Sequence, residues 1–370
     1  VCSSDLKDKK ILGSVFLITI IILIVISISM IASVSFTKGM REYNNYYYFL
    51  QRQVVWIILG AGVFYAVSRI DYRWYQGKRT ALYLLGLILL VLVLIMGKEV
   101  NGAQRWLGFG SISIQPSEFA KLIFILYLAS SLEFYRYKNY TPRATLFASF
   151  LPLMLYCILI VAERAFSNTM HLFIIGSIMM LMSRIDLVEY SVAFLVSSFL
   201  GLIAMFSSPY RMKRILSYMN GFGEGNNDIG YQARQSLIAI GGGGLFGRFY
   251  GNGLQKYFFL PEIHTDYTFA GYSEEFGFIG NILLMTVYLV MLTVIIIAIL
   301  KAKDTYGRFI LVGIFALFAT QIVGNIAVVT GMIPSTGIPL PIVSYGGSSI
   351  IMIMAALGIV YNIIKNIGVE

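Results

Sequence analysis

Ionisable residues able to do chemistry gather in a few short stretches of this chain. The densest is FLPEIHTDYTFAGYSEEFGFIG (Phe259 to Gly280), which sets Glu262, His264, Asp266, Glu274 and Glu275 beside an apolar segment. A carboxylate such as Asp266 can accept a proton from a weak nucleophile. His264 lies two residues away; in an extended stretch the two side chains would share a face, although a hydrogen-bonding structural histidine is the favoured role. Glu274 and Glu275 precede an apolar run. There they either favour the positive end of a helix dipole or, for one of them, hold a divalent cation such as Mg or Mn. Two or three carboxylates of unknown geometry assign no metal site.

A second stretch is NGAQRWLGFGSISIQPSEFAKL (Asn101 to Leu122). Pro116 suits the first turn of a helix, where its missing N–H costs nothing. Glu118 then lies in that first turn, and Glu118 and Lys121, three apart, share a face. Such a pair entering a membrane segment either locks two helices together or also lines a polar cavity. Arg105 and Trp106 suit an anionic headgroup at the interface, or an aromatic anchor with a snorkelling arginine. GMIPSTGIPLPIVSYGGSS (Gly331 to Ser349) carries no charge; Ser344, Ser348 and Ser349 can hydrogen-bond a substrate or cap the following helix. GGGG (Gly241 to Gly244) is followed by no Gly-Lys-Ser/Thr, so it is no nucleotide P-loop; its glycines allow tight backbone packing. YRMKRIL (Tyr210 to Leu216) reads as an amphipathic helix lying on anionic lipid.

The elements that must position these residues are membrane spans. Only 12% of the 370 residues are charged and 58% are hydrophobic, with a mean hydropathy of +0.78, whereas soluble domains carry about 25% charged residues. The fold class expected is an all-α integral membrane protein. Spans of roughly 20 residues are expected near 11–36, 53–70, 80–97, 117–135, 144–162, 168–183, 187–207, 276–300, 308–330 and 346–364. The whole chain, 1–370, reads as one domain, with a large extracytoplasmic loop over 208–275 between the seventh and eighth spans.

The net charge of +10 follows from lysines and arginines on inner loops rather than from nucleic-acid binding. With the amino terminus inside, inner segments hold about fifteen of them and short outer segments about seven, so both ends are expected in the cytoplasm. Cys2 falls on the inner tail and Cys157 within the fifth span, which leaves no disulfide expected. The first apolar run is too long for a cleavable signal, and VCSSDL, which opens without Met, is given no structural weight.

NGAQRWLGFGSISIQPSEFAKL, LPEIHTDYTFAGYSEEFGFIG and TGIPLPIVSYGGSS together resemble the SEDS family (shape, elongation, division and sporulation), over essentially the whole length. YQARQSLIAIGGGGLFGRFYGNGLQK resembles the division member FtsW more than the elongation member RodA, chiefly through GNGLQK. The resemblance implies a peptidoglycan glycosyltransferase at the outer face of the bacterial cytoplasmic membrane. Its donor is a glycan chain on polyprenyl pyrophosphate and its acceptor the GlcNAc 4-hydroxyl of lipid II. It implies Asp266, in HTD, as the base, with partly buried surroundings raising its pKa. Arg105 and Lys121 become candidates for the pyrophosphate charge, with Trp106, Glu118, His264, Ser344 and Ser348 as further substrate-binding candidates. The implied partners are a class B penicillin-binding protein, other division or elongation complex proteins, and membrane lipids. One segment departs from the family pattern E-P-[DN]-[LF]-[GS]-T-A. In ERAFSNTMHL (Glu163 to Leu172), Glu163, Phe166 and Ser167 fit, Ala165 stands at the Asp/Asn position, and Asn168 is the nearby residue able to substitute.

A lipid II flippase is the alternative. It needs polar residues through the whole membrane, whereas the inner halves of most spans are Ile, Leu, Val and Met. A secondary transporter would show repeats and broken helices near the midplane, and no repeat is evident.

Overall fold

The apolar runs are helices. The computed structural model describes residues 2–100, 103–109, 112–206, 228–257 and 259–367, together with Met212, Leu216 and Tyr218. In chain order the first elements are α1 (Cys2–Val34), a short α2 (Phe36–Tyr43) and α3 (Tyr48–Arg69). A 3-10 turn (Tyr72–Lys78) then leads into α4 (Arg79–Met96), and a small sheet of β1 (Lys98–Val100), β2 (Ala103–Phe109) and β3 (Ile112–Ile114) follows. Next come α5 (Pro116–Tyr137), α6 (Pro142–Ala162), α7 (Phe166–Leu181) and α8 (Leu187–Phe206). The chain closes with α9 (Asp228–Gly243), α10 (Thr268–Lys301), α11 (Thr305–Val329) and α12 (Gly347–Asn366).

Ten of these helices fall where the ten spans are expected. Eight spans are long and apolar enough to cross a membrane by length and composition alone. The other two fall short for opposite reasons: α5 is long enough but carries Glu118, Lys121, Glu133 and Arg136, and α7 is apolar but only 16 residues long. Both are shielded by neighbours. The side chains of α5 are buried almost continuously from Pro116 to Leu132, the mark of a helix enclosed on all sides rather than on one stripe. By contrast α8 turns nearly all of its apolar side chains outward, including Leu195, Phe199 and Leu200, as a helix bathed in lipid does. Close approach in the centre uses small residues. A Cβ on Gly313 of α11 would sit 2.5 Å from Ile125 of α5, and one on Gly60 of α3 would sit 2.9 Å from Met354 of α12.

The sheet order is β1-β2-β3, antiparallel throughout, with Lys98 opposite Trp106 and Leu107 opposite Ile114. It runs straight into Gln115 and then Pro116, which opens α5 as the sequence predicts.

One expectation changes and one segment gains detail. The connection 208–275 between the seventh and eighth spans carries α9 within it. The surface helix expected over Tyr210–Leu216 lies outside the described residues except for Met212 and Leu216. The eighth span, expected to begin at 276, begins at Thr268 and is broken at Gly277, whose φ of 65° and ψ of −164° are non-helical. The GGGGLFG turn repairs the break. The amides of Phe278 and Ile279 donate to the carbonyls of Gly244 (2.9 Å) and Leu245 (3.1 Å), and the Arg248 amide donates to the Glu274 carbonyl (2.9 Å). A Cβ at Gly247 would stand 2.2 Å from the Glu275 carbonyl oxygen, and one at Gly277 would stand 2.3 Å from the Gly247 nitrogen. Only glycine fits this contact. Irregular backbone at such depth persists when other protein groups satisfy it, as these turns do here.

Candidate active site

The uncharged segment between α11 and α12 joins the other two motifs. On one side the Tyr345 amide donates to the His264 carbonyl (2.9 Å). Asn325 of α11 donates through its Nδ2 to the carbonyls of both Asp266 and Ile338, each at 2.8 Å. On the other side Ser167, at the start of α7, donates its hydroxyl to the Thr336 carbonyl. Gln321 to Pro339 (3.0 Å) and Tyr288 to Pro341 (2.6 Å) hold the middle of the segment. Gly337 lies against the Asp266 side chain: a Cβ placed there would be 3.5 Å from Oδ2. One strand of loop therefore connects the aspartate to the entrance of α7.

Asp266 is half-buried and sits in a chain of turns, not in extended backbone. The amides of Thr265 and Tyr267 both donate to the Glu262 carbonyl at 3.2 Å, and that of Ile263 donates to the Leu260 carbonyl at 3.3 Å. The shared-face geometry of an extended stretch therefore does not apply to His264 and Asp266. The His264 ring is buried between Phe49 and Tyr345, with centroids at 4.8 and 5.8 Å, and its Nδ1 has no hydrogen-bond partner. Burial, helped by the Lys38 charge, pushes its pKa down to about 3. It is neutral at physiological pH and packs as an aromatic. Glu262, on the outer side of the turn, accepts from the Thr265 hydroxyl (2.9 Å) and faces Lys38 at 3.7 Å.

Glu118 and Lys121 are paired as their spacing predicts, at 2.8 Å. The ammonium, on a residue 1% exposed, also donates to Asn168 Oδ1 (3.4 Å) and faces His171 Nδ1 (3.4 Å). His171 Nε2 lies 3.1 Å from the Leu317 carbonyl. A carbonyl only accepts, so the proton is assigned to Nε2 and Nδ1 presents a lone pair to Lys121. All three N–H bonds of Lys121 are thus taken up within the protein. Asn168 in turn donates to the Ser117 hydroxyl (3.2 Å). In this arrangement the pair ties α5 to α7 and α11 and presents no free ammonium.

Ser344 and Ser348 are both buried, and neither caps α12, which has no side-chain cap. The Ser344 hydroxyl accepts from the Leu340 amide (2.9 Å), and Ser348 accepts from the Gln115 amide (3.1 Å) while donating to the Ser113 carbonyl (3.3 Å). Ser348 thereby fastens β3 and the start of α5 to α12. Arg105 and Trp106 sit half-buried on β2, beside this junction.

Glu274 and Glu275 do not form the start of a spanning helix, nor do they fit a cation site. Glu274 accepts the amides of Leu254 (2.8 Å) and Gln255 (3.1 Å). Glu275 accepts from the Ser33 hydroxyl (2.5 Å) and pairs with Lys256 (3.1 Å). Both carboxylates already hold the turn after α9 against α10 and α1.

The divergent ERAFSN segment makes its own geometry. Arg164 has φ 59°, in the left-handed region, which proline, fixed near −65°, cannot enter. The amides of Arg164 and Ala165 donate to Val161 (2.9 Å) and Ile160 (3.2 Å), the paired bonds of a Schellman turn that reverses the chain between α6 and α7. At its apex Glu163 is fully buried with no hydrogen bond to either oxygen. Burial pushes its carboxyl up to about 8, with Arg105 pulling the other way, so it is protonated at neutral pH. An acid whose folded pKa is raised loses stabilisation as pH climbs from its unfolded value. Melting temperature is therefore expected to fall between about pH 5 and pH 8, and Glu163→Gln to flatten that fall and melt higher than the parent at pH 8. Parallel profiles for the two proteins would show that Glu163 is not the titrating group.

Sequence reasoning missed His171. Its signal was present: an ionisable residue inside an apolar run, TMHLF, is expensive in a membrane and marks a partner.

The arrangement defines a multi-pass membrane protein in which three distant motifs close one polar mouth at one end of the bundle. A sequence model of the FtsW/RodA/SpoVE family, described as cell cycle protein, matches residues 14–367, and the chain belongs to that family. It is 38% identical over 364 residues to stage V sporulation protein E of Bacillus subtilis (strain 168), covering 97% of this chain and 98% of that one. It is 36% identical over 362 residues to a protein named probable peptidoglycan glycosyltransferase FtsW from Trichlorobacter lovleyi, covering 94% and 92%. The fold is similar to a chain of a solved peptidoglycan synthase complex (TM-score 0.79, 24% identity, 96% and 98% covered). It is also similar to rod shape determining protein RodA of Thermus thermophilus (TM-score 0.70, 24% identity, 96% and 97% covered).

Proposed function

We propose that this chain is a peptidoglycan glycosyltransferase that extends glycan strands from lipid II, in cell division or cell-shape maintenance. The observation that carries the proposal is the position of Asp266: a half-buried carboxylate at the mouth of the bundle, its backbone fixed by Asn325 and its Oδ2 facing Gly337. The names of the FtsW relatives support it. Asp266 takes the proton of the acceptor 4-hydroxyl as that oxygen attacks the anomeric carbon of the donor. The bond to polyprenyl pyrophosphate breaks, and Arg105 is the candidate cation for the departing negative charge. His264, neutral and buried, is no proton carrier here. The positive-inside distribution supports cytoplasmic termini and an outward-facing Asp266. A class B penicillin-binding protein is proposed as the transpeptidase partner.

The same observations weigh against a flippase. Glu118 and Lys121 neutralise one another near the mouth. Beyond them the buried run of α5 continues as Leu122, Phe124, Ile125, Leu126 and Leu128, none of them ionisable. Purified protein incubated with lipid II in detergent, alone and with its transpeptidase, is expected to yield glycan chains that muramidase degrades. Absence of chains in detergent, with lipid II crossing the bilayer of proteoliposomes, would establish the transport reading instead.

A further inference from the structure

We propose that a cleft at the opposite end of the bundle binds the phosphate of an anionic lipid. Arg136, Asn139 and Tyr140 line it from the end of α5, Thr145 from α6, Arg184 from the turn into α8 and Phe309 from α11. Arg136 lies eighteen residues beyond Glu118 on one helix, about 27 Å at the α-helical rise. The cleft is thus at the other boundary of the hydrocarbon layer, remote from the site described above.

Three observations select the ligand. The first is charge. No acidic residue lines the cleft. Three other arginines on this face are already engaged: Arg143 pairs with Glu189 (3.2 Å), Arg308 donates to the Ala302 carbonyl (2.7 Å), and Arg79 covers the Phe134 ring (3.7 Å). Arg136 and Arg184 have no acidic or hydrogen-bonding side-chain partner among the described residues. Two arginines lining one cavity match a phosphate, which a guanidinium can grip through two N–H bonds.

The second is size. The cavity is about 40 Å³, room for roughly three water-sized groups. That accommodates the free oxygens of one phosphate.

The third is the route out. Thr145 and Phe309 at the cleft are buried, while Leu187 and Val188, the first residues of α8 after Arg184, are 61% and 75% exposed. A phosphate held by the arginines would have an apolar helix face alongside for its acyl chains, which a soluble phosphate has no use for.

The test is native mass spectrometry of the full chain in detergent, offered dioleoyl-phosphatidylglycerol, dioleoyl-phosphatidylcholine or inorganic phosphate. Wild type is expected to retain one phosphatidylglycerol that phosphatidylcholine does not replace. Arg136→Gln with Arg184→Gln is expected to weaken retention about tenfold or more, and the Arg136→Lys, Arg184→Lys variant to keep part of it. Arg143→Gln, an arginine of the same face that is already paired, is expected to leave retention unchanged. Displacement by inorganic phosphate would keep the phosphate site and assign its ligand to solution. Equal retention in the double glutamine variant, equal retention of phosphatidylcholine, or an equal loss in Arg143→Gln would each overturn the proposal. All these side chains are exposed, so the variants are expected to fold, and their melting temperatures check it.

Discussion

Asp266→Asn is expected to cut lipid II polymerisation by about 10²–10⁴-fold, the span over which a positioned general base acts, while the protein still inserts, folds and melts as before. The substitution changes one oxygen for one nitrogen and nothing in the scaffold. The bond that fixes this residue is made by its backbone carbonyl, which accepts from Asn325, and asparagine keeps that carbonyl. The side chain is half-exposed, and asparagine keeps its size and one of its oxygens. Initial rates of lipid II consumption, read beside melting temperature, check the expectation. An Asp266→Asn protein that polymerises at the parent rate would remove the proton acceptor from the mechanism and the mechanism with it.

The second large effect is expected at Lys121. Lys121→Ala leaves Glu118 buried with no cation, and breaking a buried pair from one side costs about 3–5 kcal/mol. Asn168 and His171 lose their shared donor in the same step. Removing both charges with Glu118→Leu and Lys121→Met is expected to recover most of that stability, since an apolar pair in the same space leaves nothing unpaired. Rate is expected to recover less, remaining about tenfold or more below the parent. Asn168 sits next to Ser167, which holds Thr336, and Gly337 touches Asp266; a displacement of ~1 Å at a reacting group costs about 10²-fold. Thermal melts with polymerisation rates for Lys121→Ala, Glu118→Ala and the double variant separate the effects. Single variants as stable as the parent would contradict the buried pair itself.

Much of this was legible from residue order. The spans follow from apolar runs, because a bilayer accepts little else. Pro116 marked the first turn of α5, and the three-residue spacing of Glu118 and Lys121 set them on one face. What stayed hidden depends on contacts between distant residues. The third acceptor for Lys121 is fifty positions away at His171. The segment from Thr336 to Tyr345 carries no charge to draw notice, yet its carbonyls and amides tie the aspartate loop to α7 and α11. EEFGFIG reads as the doorway of an ordinary span. Only the docking of Gly244 and Leu245 onto Phe278 and Ile279 makes the interruption at Gly277 affordable. The departure at Ala165 was visible, but the left-handed turn at Arg164 was not.

That interruption divides mechanical duty along α10. The long cylinder from Phe278 to Lys301 is bathed in lipid on one side and must lean when the bilayer thins or thickens. The short stub from Thr268 to Phe276 is moored elsewhere, to Ser33 of α1 and Lys256 through Glu275. The GGGGLFG turn grips both sides of the interruption, Glu274 through Arg248 and Phe278 through Gly244, so the stub that carries the aspartate loop is braced independently of the lipid-facing cylinder.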